Sequence, residues 1–186
     1  MLFTTIDFVV FFVLVLTAVV VIKNRKYQLL ILLAASYYFF YFSSNYLIIL
    51  LVFSTILDFF AAKLIYNTKD VFKKKVLLII SLAGNLGLLG FFKYSDFAIL
   101  QFNIMGNSIN LNTEIPFLNL ILPLGISFYT FQTLSYTIDV YRGNLTPSKT
   151  LSEFALFVAF FPQLVAGPIL RAKQFLPQLR EKIQNF

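Results

Sequence analysis

A chain of 186 residues in which 59% are hydrophobic and only 12% charged, with a mean hydropathy of +0.83, is not an ordinary soluble domain, where roughly half the residues are apolar and about a quarter charged. Lys and Arg outnumber Asp and Glu by 15 to 8, but they crowd the short connections between apolar runs, a pattern of membrane topology rather than of nucleic-acid binding. Cys and His are both absent, which removes disulfides, thiolate nucleophiles, the commonest metal ligand and the commonest general base.

The sequence holds about six apolar segments, each near the roughly 20 residues that span a hydrocarbon core, and leaves no stretch for a separate soluble domain. The first, Thr5 to Ile22, carries one acid, Asp7, and is followed at once by Lys23, Arg25 and Lys26. It lacks the basic start and small-residue cleavage site of a signal peptide, so it reads as a retained span with its N-terminus outside. Gln28 to Phe42 is the second, closing on the aromatic run Tyr37 to Phe42, and Ser43-Ser44-Asn45 is expected to turn the chain. Asn45 to Tyr66 is the third and contains Asp58, a carboxylate that costs at least about 2.5 kcal/mol if left charged in lipid. Asp58 is either functional or, as its nearness to Lys63, Lys69 and Lys73 to Lys75 favours, a structural residue neutralised at the interface.

The fourth segment, Val76 to Phe92, places Ala83 and Gly87 at the spacing that lets two helices approach closely, with Asn85 beside them to hydrogen-bond across the contact. No Gly-Lys-Ser/Thr follows these glycines, which excludes a phosphate-binding loop. Lys93 to Leu118 is mixed in character. Tyr94 to Met105 suits an interfacial helix, and Gly106 to Pro116 an Asn-rich turn region on the outside face.

A long helix is expected from Asn119 to Tyr141. On it Gln132, Ser135 and Asp139 share one side, while Ser127, Thr130, Thr133 and Thr137 share another. A helix polar on two stripes belongs inside a bundle, where other helices supply partners. Asp139 stands three residues before Arg142, the spacing of an ion pair within a helix. Thr150-Leu-Ser-Glu153 is a capping box that opens the next helix, which Pro162 and the pair Gly167-Pro168 then bend or end. Leu151 to Gly167 is thus a broken or re-entrant segment, tolerated at membrane depth only where protein or an aqueous cavity covers the freed backbone. After Arg171 and Lys173, Pro177 begins an amphipathic turn with Leu179 and Ile183 on one side and Arg180 and Lys182 on the other, which fits an interfacial helix. The fold class is all-α: a polytopic membrane helix bundle with no internal repeat.

The run PLGISFYTFQTLSYTIDVYRG, followed by FVAFFPQLVAGPILR and preceded by NLGLLGFFKYSDF at Asn85 to Phe97, resembles the membrane-bound O-acyltransferase family, in its bacterial cell-envelope branch typified by alginate O-acetyltransferase. The resemblance covers nearly the whole chain and implies that residues 1–186 are the N-terminal part of one transmembrane domain. It implies transfer of an acyl group, acetyl above all, from a thioester donor such as acetyl-CoA or an acyl carrier to hydroxyls of a cell-envelope polysaccharide. No bound cofactor, metal or nucleic acid is implied. The setting is the bacterial cytoplasmic (inner) membrane, and the partners are the lipid bilayer, the C-terminal remainder of the same enzyme and a periplasmic or extracellular acyltransferase.

Such transfer needs a base for the attacking hydroxyl and a donor for the developing oxyanion. In the family the base is a histidine on a later helix, and this sequence has none, so no catalytic residue carries over. What carries over is scaffold: Gln132, Ser135, Asp139, Arg142, Gly167, Pro168 and Arg171, with Gly125, are candidates for the wall of the family's tunnel or its cytosolic entry. Arg171 either meets a phosphate or carboxylate of the donor or snorkels to lipid headgroups. Two other readings stand beside this one. A non-enzymatic truncated membrane scaffold would share every motif, and a small transporter subunit is disfavoured by the single broken segment and by acids set near the interfaces.

Overall fold

The computed structural model describes residues 5–108, 114–166 and 171–180. Within them the chain forms eight α-helices and no strand: α1 (Ile6–Val21), α2 (Arg25–Ser44), α3 (Ile48–Asn67), α4 (Val71–Ser108), α5 (Ile126–Tyr141), α6 (Leu151–Ala159), α7 (Phe161–Ala166) and α8 (Ala172–Arg180), with a 3₁₀ turn at Asn45–Leu47. Two stretches, Arg25–Asn67 and Val71–Ser108, are long and apolar enough to cross a membrane, and Ile6–Val21 and Leu151–Gln163 are shorter apolar helices. The protein is an all-α membrane helical protein.

Helix α1 buries none of its residues, as befits a helix meant for lipid. It is held by aromatic contacts, with Phe11 5.3 Å from Phe161 of α7 and 6.2 Å from Phe39 of α2, and by Gln28 Nε2 of α2, which donates to the Val19 carbonyl at 3.0 Å. Helix α2 opens with the Asn24 side chain accepting from Lys26 N and runs straight through Ser43 and Ser44, where a turn was expected. The two serines do not break it because their hydroxyls are already engaged. Ser43 Oγ donates back to the Phe39 carbonyl, and Ser44 Oγ accepts from Leu124 N. The bend comes at Asn45, which takes φ 52°.

Helix α4 continues for 38 residues, about 57 Å at ~1.5 Å per residue, so Tyr94 to Met105 extends the fourth span rather than forming a separate interfacial helix. Nothing between Gly90 and Gly106 breaks it. The extended stretch 114–123 lies along this far half. There the Asp96 carboxylate accepts from Leu118 N (2.8 Å) and Asn119 N (3.1 Å), and Asn103 both donates to and accepts from the Ile115 backbone at 2.9 Å. These side chains supply what a segment without helix or sheet partners lacks. Helix α5 therefore starts at Ile126 rather than at Asn119, after Pro123 and after Gly125, whose φ of 69° lies in the left-handed region.

The centre of the bundle is the nine-residue helix α6, whose residues Phe154 to Ala159 are all buried. Around it pack Phe40 of α2, Ala62 and Ile65 of α3, and Tyr136 of α5, with Tyr136 4.3 Å from Phe154. Helix α8 begins at Ala172 with Pro177 inside it; Lys182 and Ile183, which the expected amphipathic turn included, lie outside the described residues. Its Ala172, Phe175 and Leu176 are buried. Phe175 sits 5.6 Å from Phe157 and 5.3 Å from Phe160, so these side chains are covered by protein rather than by headgroups. The close approach of α3 and α4 also differs from expectation. A Cβ on Gly84 would lie 2.6 Å from Leu57 Cδ2, whereas one on Gly87 would meet nothing. The buried face of α4 runs through Ser81, Asn85 and Leu89, which turns Ala83 and Gly87 outward.

Candidate functional site

Two polar arrangements lie inside this apolar bundle, and both are built from the motif segments. The first closes the break between α6 and α7. Helix α6 ends at Phe160, whose ψ of 105° leaves the helical region one residue before Phe161 and two before Pro162. In a continuing helix the Phe161 N–H would bond the Phe157 carbonyl four residues back. Instead Phe161 N donates to Ser36 Oγ of α2 at 3.3 Å, and the Phe157 carbonyl accepts from Gln132 Nε2 of α5 at 2.7 Å. A broken helix inside a membrane bundle must have its freed groups covered in this way. At the other end of α6 the Thr150 half of the expected capping box is in place, with Thr150 Oγ1 accepting from Glu153 N at 3.3 Å, and the Glu153 carboxylate accepts from Ser148 Oγ at 3.3 Å. The preceding loop is pinned by the Tyr136 hydroxyl, which accepts from Ser148 N at 2.9 Å.

The second arrangement surrounds Asp58, which is fully buried. Its Oδ1 accepts from Ser81 Oγ of α4 and from Thr137 Oγ1 of α5 (3.1 Å), and its Oδ2 accepts from Asn85 Nδ2 (2.9 Å). Asn85 Oδ1 in turn accepts from Ser54 Oγ of α3 at 2.8 Å. Three helices are thus tied at one carboxylate. The expected neutralisation of Asp58 by lysines does not occur. Lys63, five residues on, is turned about 140° round the helix, and its Nζ stands 5.7 Å from the Phe59 ring centroid. The expectation for Asn85 is met, since it bonds across the α3–α4 contact.

The remaining predicted residues are not gathered into one centre. Ser135 donates to the Gln132 carbonyl of its own helix at 2.8 Å. Asp139 and Arg142 form no ion pair, because Arg142 is the C-cap, one step beyond the last residue of α5, and its side chain is exposed. Arg171 is exposed, and its carbonyl accepts from Gln174 N and Phe175 N as α8 begins. Gly167 and Pro168 lie outside the described residues. Both polar stripes of α5 do find partners, Gln132 toward α6 and Thr137 toward α3. Ser36, Ser54 and Ser81 were not singled out in the sequence. Each is a lone serine in an apolar run, and only the partner helix gives it meaning.

Among the described residues, no cluster of three metal-ligating side chains occurs. Asp58 is enclosed by donors and out of reach of a substrate, so its chemistry is that of a tie between helices. What these residues can do is hold a short, broken helix rigidly at the middle of a membrane bundle.

The sequence has relatives of known name. It is 37% identical over 157 residues to a peptidoglycan O-acetyltransferase of Helicobacter pylori, covering 72% of this chain and 29% of that protein. It is 42% identical over 107 residues to a probable alginate O-acetylase of Pseudomonas putida and 43% identical over 107 residues to that of Pseudomonas aeruginosa, each match covering 56% of this chain and 21% or 20% of the relative. No protein-family model matches the chain, and no solved structure does. The chain spans less than a third of the length of these relatives. Over the residues it shares with them, the chain is similar to these bacterial O-acetyltransferases, as its motif segments imply.

Proposed function

We propose that this chain serves a membrane O-acyltransferase that moves an acetyl group from a thioester donor to hydroxyls of a cell-envelope polysaccharide, and that it supplies the scaffold and tunnel wall rather than the reacting groups. The observation that carries this reading is the closed break at Phe160. Two of the three segments by which the chain resembles the family build it, with Gln132 in one and Phe157 to Phe161 in the other. The absence of His supports a base supplied by other residues of the same enzyme, and the relatives' greater length supports the existence of such residues. The alternation of Lys and Arg between connections supports an inner-membrane orientation with the N-terminus outside and Lys23 to Lys26 inside. A periplasmic or extracellular acyltransferase would then receive or pass on the acetyl group at the outer face.

Membranes carrying residues 1–186 alone, and membranes carrying the chain with its C-terminal remainder, are to be supplied with labelled acetyl donor and acceptor polysaccharide. Loss of a general base typically costs a factor of about 10² to 10⁴, so label should move only with the remainder present. Transfer by residues 1–186 alone would overturn the scaffold assignment, and no transfer by either would overturn the enzymatic one.

A further inference from the structure

We infer that the groove between α3 and α4 is a binding site for an anionic glycerophospholipid, with one acyl chain in the groove and the phosphate headgroup held at its end by Lys69 and Lys73. The groove encloses about 340 Å³ and is lined by apolar side chains, among them Phe53, Leu57, Phe60, Leu64, Leu77 and Ile80. From Phe53 to Leu64 the axis of α3 advances about 16 Å, roughly half of the ~30 Å hydrocarbon thickness. The groove is therefore one leaflet deep, the reach of a single acyl chain. With no polar lining, it offers nothing to a peptide backbone or a sugar.

Its end is basic. Lys73, Leu77 and Ile80 are spaced to lie on one face of α4, so an exposed lysine stands one turn beyond the apolar lining. Lys69 sits in the connection between the helices. Between Lys63 and Lys75 there are five lysines and one acid. That acid, Asp70, uses its carboxylate to cap α4, accepting from Phe72 N at 2.9 Å and Lys73 N at 3.5 Å. Lys63 is drawn to the Phe59 ring, and Lys74 and Lys75 are turned about 100° and 200° round α4 from Lys73, so Lys69 and Lys73 are the two set to face a headgroup. A free phosphate would use the lysines and ignore the groove, and a neutral lipid would do the reverse. Only an anionic lipid uses both.

The test is to place the full chain in nanodiscs of equal parts phosphatidylglycerol and phosphatidylcholine, extract it gently, and weigh the retained lipids by native mass spectrometry. Phosphatidylglycerol should be preferred, by about fivefold for each lysine in contact. Lys69→Gln with Lys73→Gln should abolish the preference, and Ile80→Trp, at an exposed groove position, should lower retention of both lipids. If Ile80→Trp does not fold, Leu64→Trp is read in the same way. A photocrosslinking residue at Phe60 should capture phospholipid. Equal retention of the two lipids, a preference indifferent to the lysines, or capture of a polypeptide at Phe60 would each overturn the inference.

Discussion

The side-chain amide of Gln132 and the hydroxyl of Ser36 stand on either side of one missing helical hydrogen bond. Gln132 serves the Phe157 carbonyl at 2.7 Å and Ser36 the Phe161 N–H at 3.3 Å. A buried carbonyl left unpaired costs about 1–3 kcal/mol, so Gln132→Ala should lower the unfolding free energy of the purified protein by that amount. The longer bond to Ser36 predicts a smaller loss, about 1 kcal/mol, for Ser36→Ala. Because both close one break, the double variant should depart from additivity. Unfolding curves in detergent decide this, and an unchanged Gln132→Ala curve would show that the break is not held from α5.

Asp58 is predicted to be a tie and not one half of an ion pair with lysine. Asp58→Ala strands the donors of Ser81, Asn85 and Thr137 at once and should cost about 3 kcal/mol or more. Asp58→Asn keeps one acceptor, and the hydroxyls can rotate to serve the amide, so its loss should be about half as large. Lys63→Gln should stay within about 0.5 kcal/mol of the parent. The same unfolding measurement applies, and a Lys63→Gln loss equal to that of Asp58→Ala would restore the pairing.

The α3–α4 contact gives a prediction of opposite sign at two neighbouring glycines. Gly84→Val displaces Leu57 and should destabilise by about 1–3 kcal/mol. Gly87→Ala points into open space and should stabilise by up to about 1 kcal/mol through helix propensity. Equal effects at the two sites would mean that α4 is rotated from the position described.

Orientation can be read chemically, since the chain has no Cys. Asn24 and Asn107 are both exposed. An impermeant thiol reagent applied from outside should label Asn107→Cys and leave Asn24→Cys unlabelled. The reverse pattern would invert the topology.

The all-α bundle was legible because long apolar runs admit few other solutions in lipid, and the cap at Thr150 was legible because its motif is local. Gln132 and Asn85 could be picked out as polar residues in need of partners, but their partners could not. The Phe157 carbonyl lies 25 residues from Gln132, and the tie between Asp58 and Thr137 spans 79. Lone serines such as Ser36 and Ser81 give no signal until a second helix is laid against them. Ala83 and Gly87 do not give the phase of α4, because small residues alone do not say which side is buried, whereas Ser81 and Asn85 do. Asp139 and Arg142 had ion-pair spacing, but the helix ends between them.

The measurement closest to the central claim is the ester-linked acetate that mild alkali releases from the envelope polysaccharides of a cell that carries this chain, before and after its coding sequence is deleted. An O-acetyltransferase scaffold predicts that acetate falls on one polysaccharide and returns when the gene is restored. Acetate unchanged on peptidoglycan and on every exported polysaccharide would contradict the account.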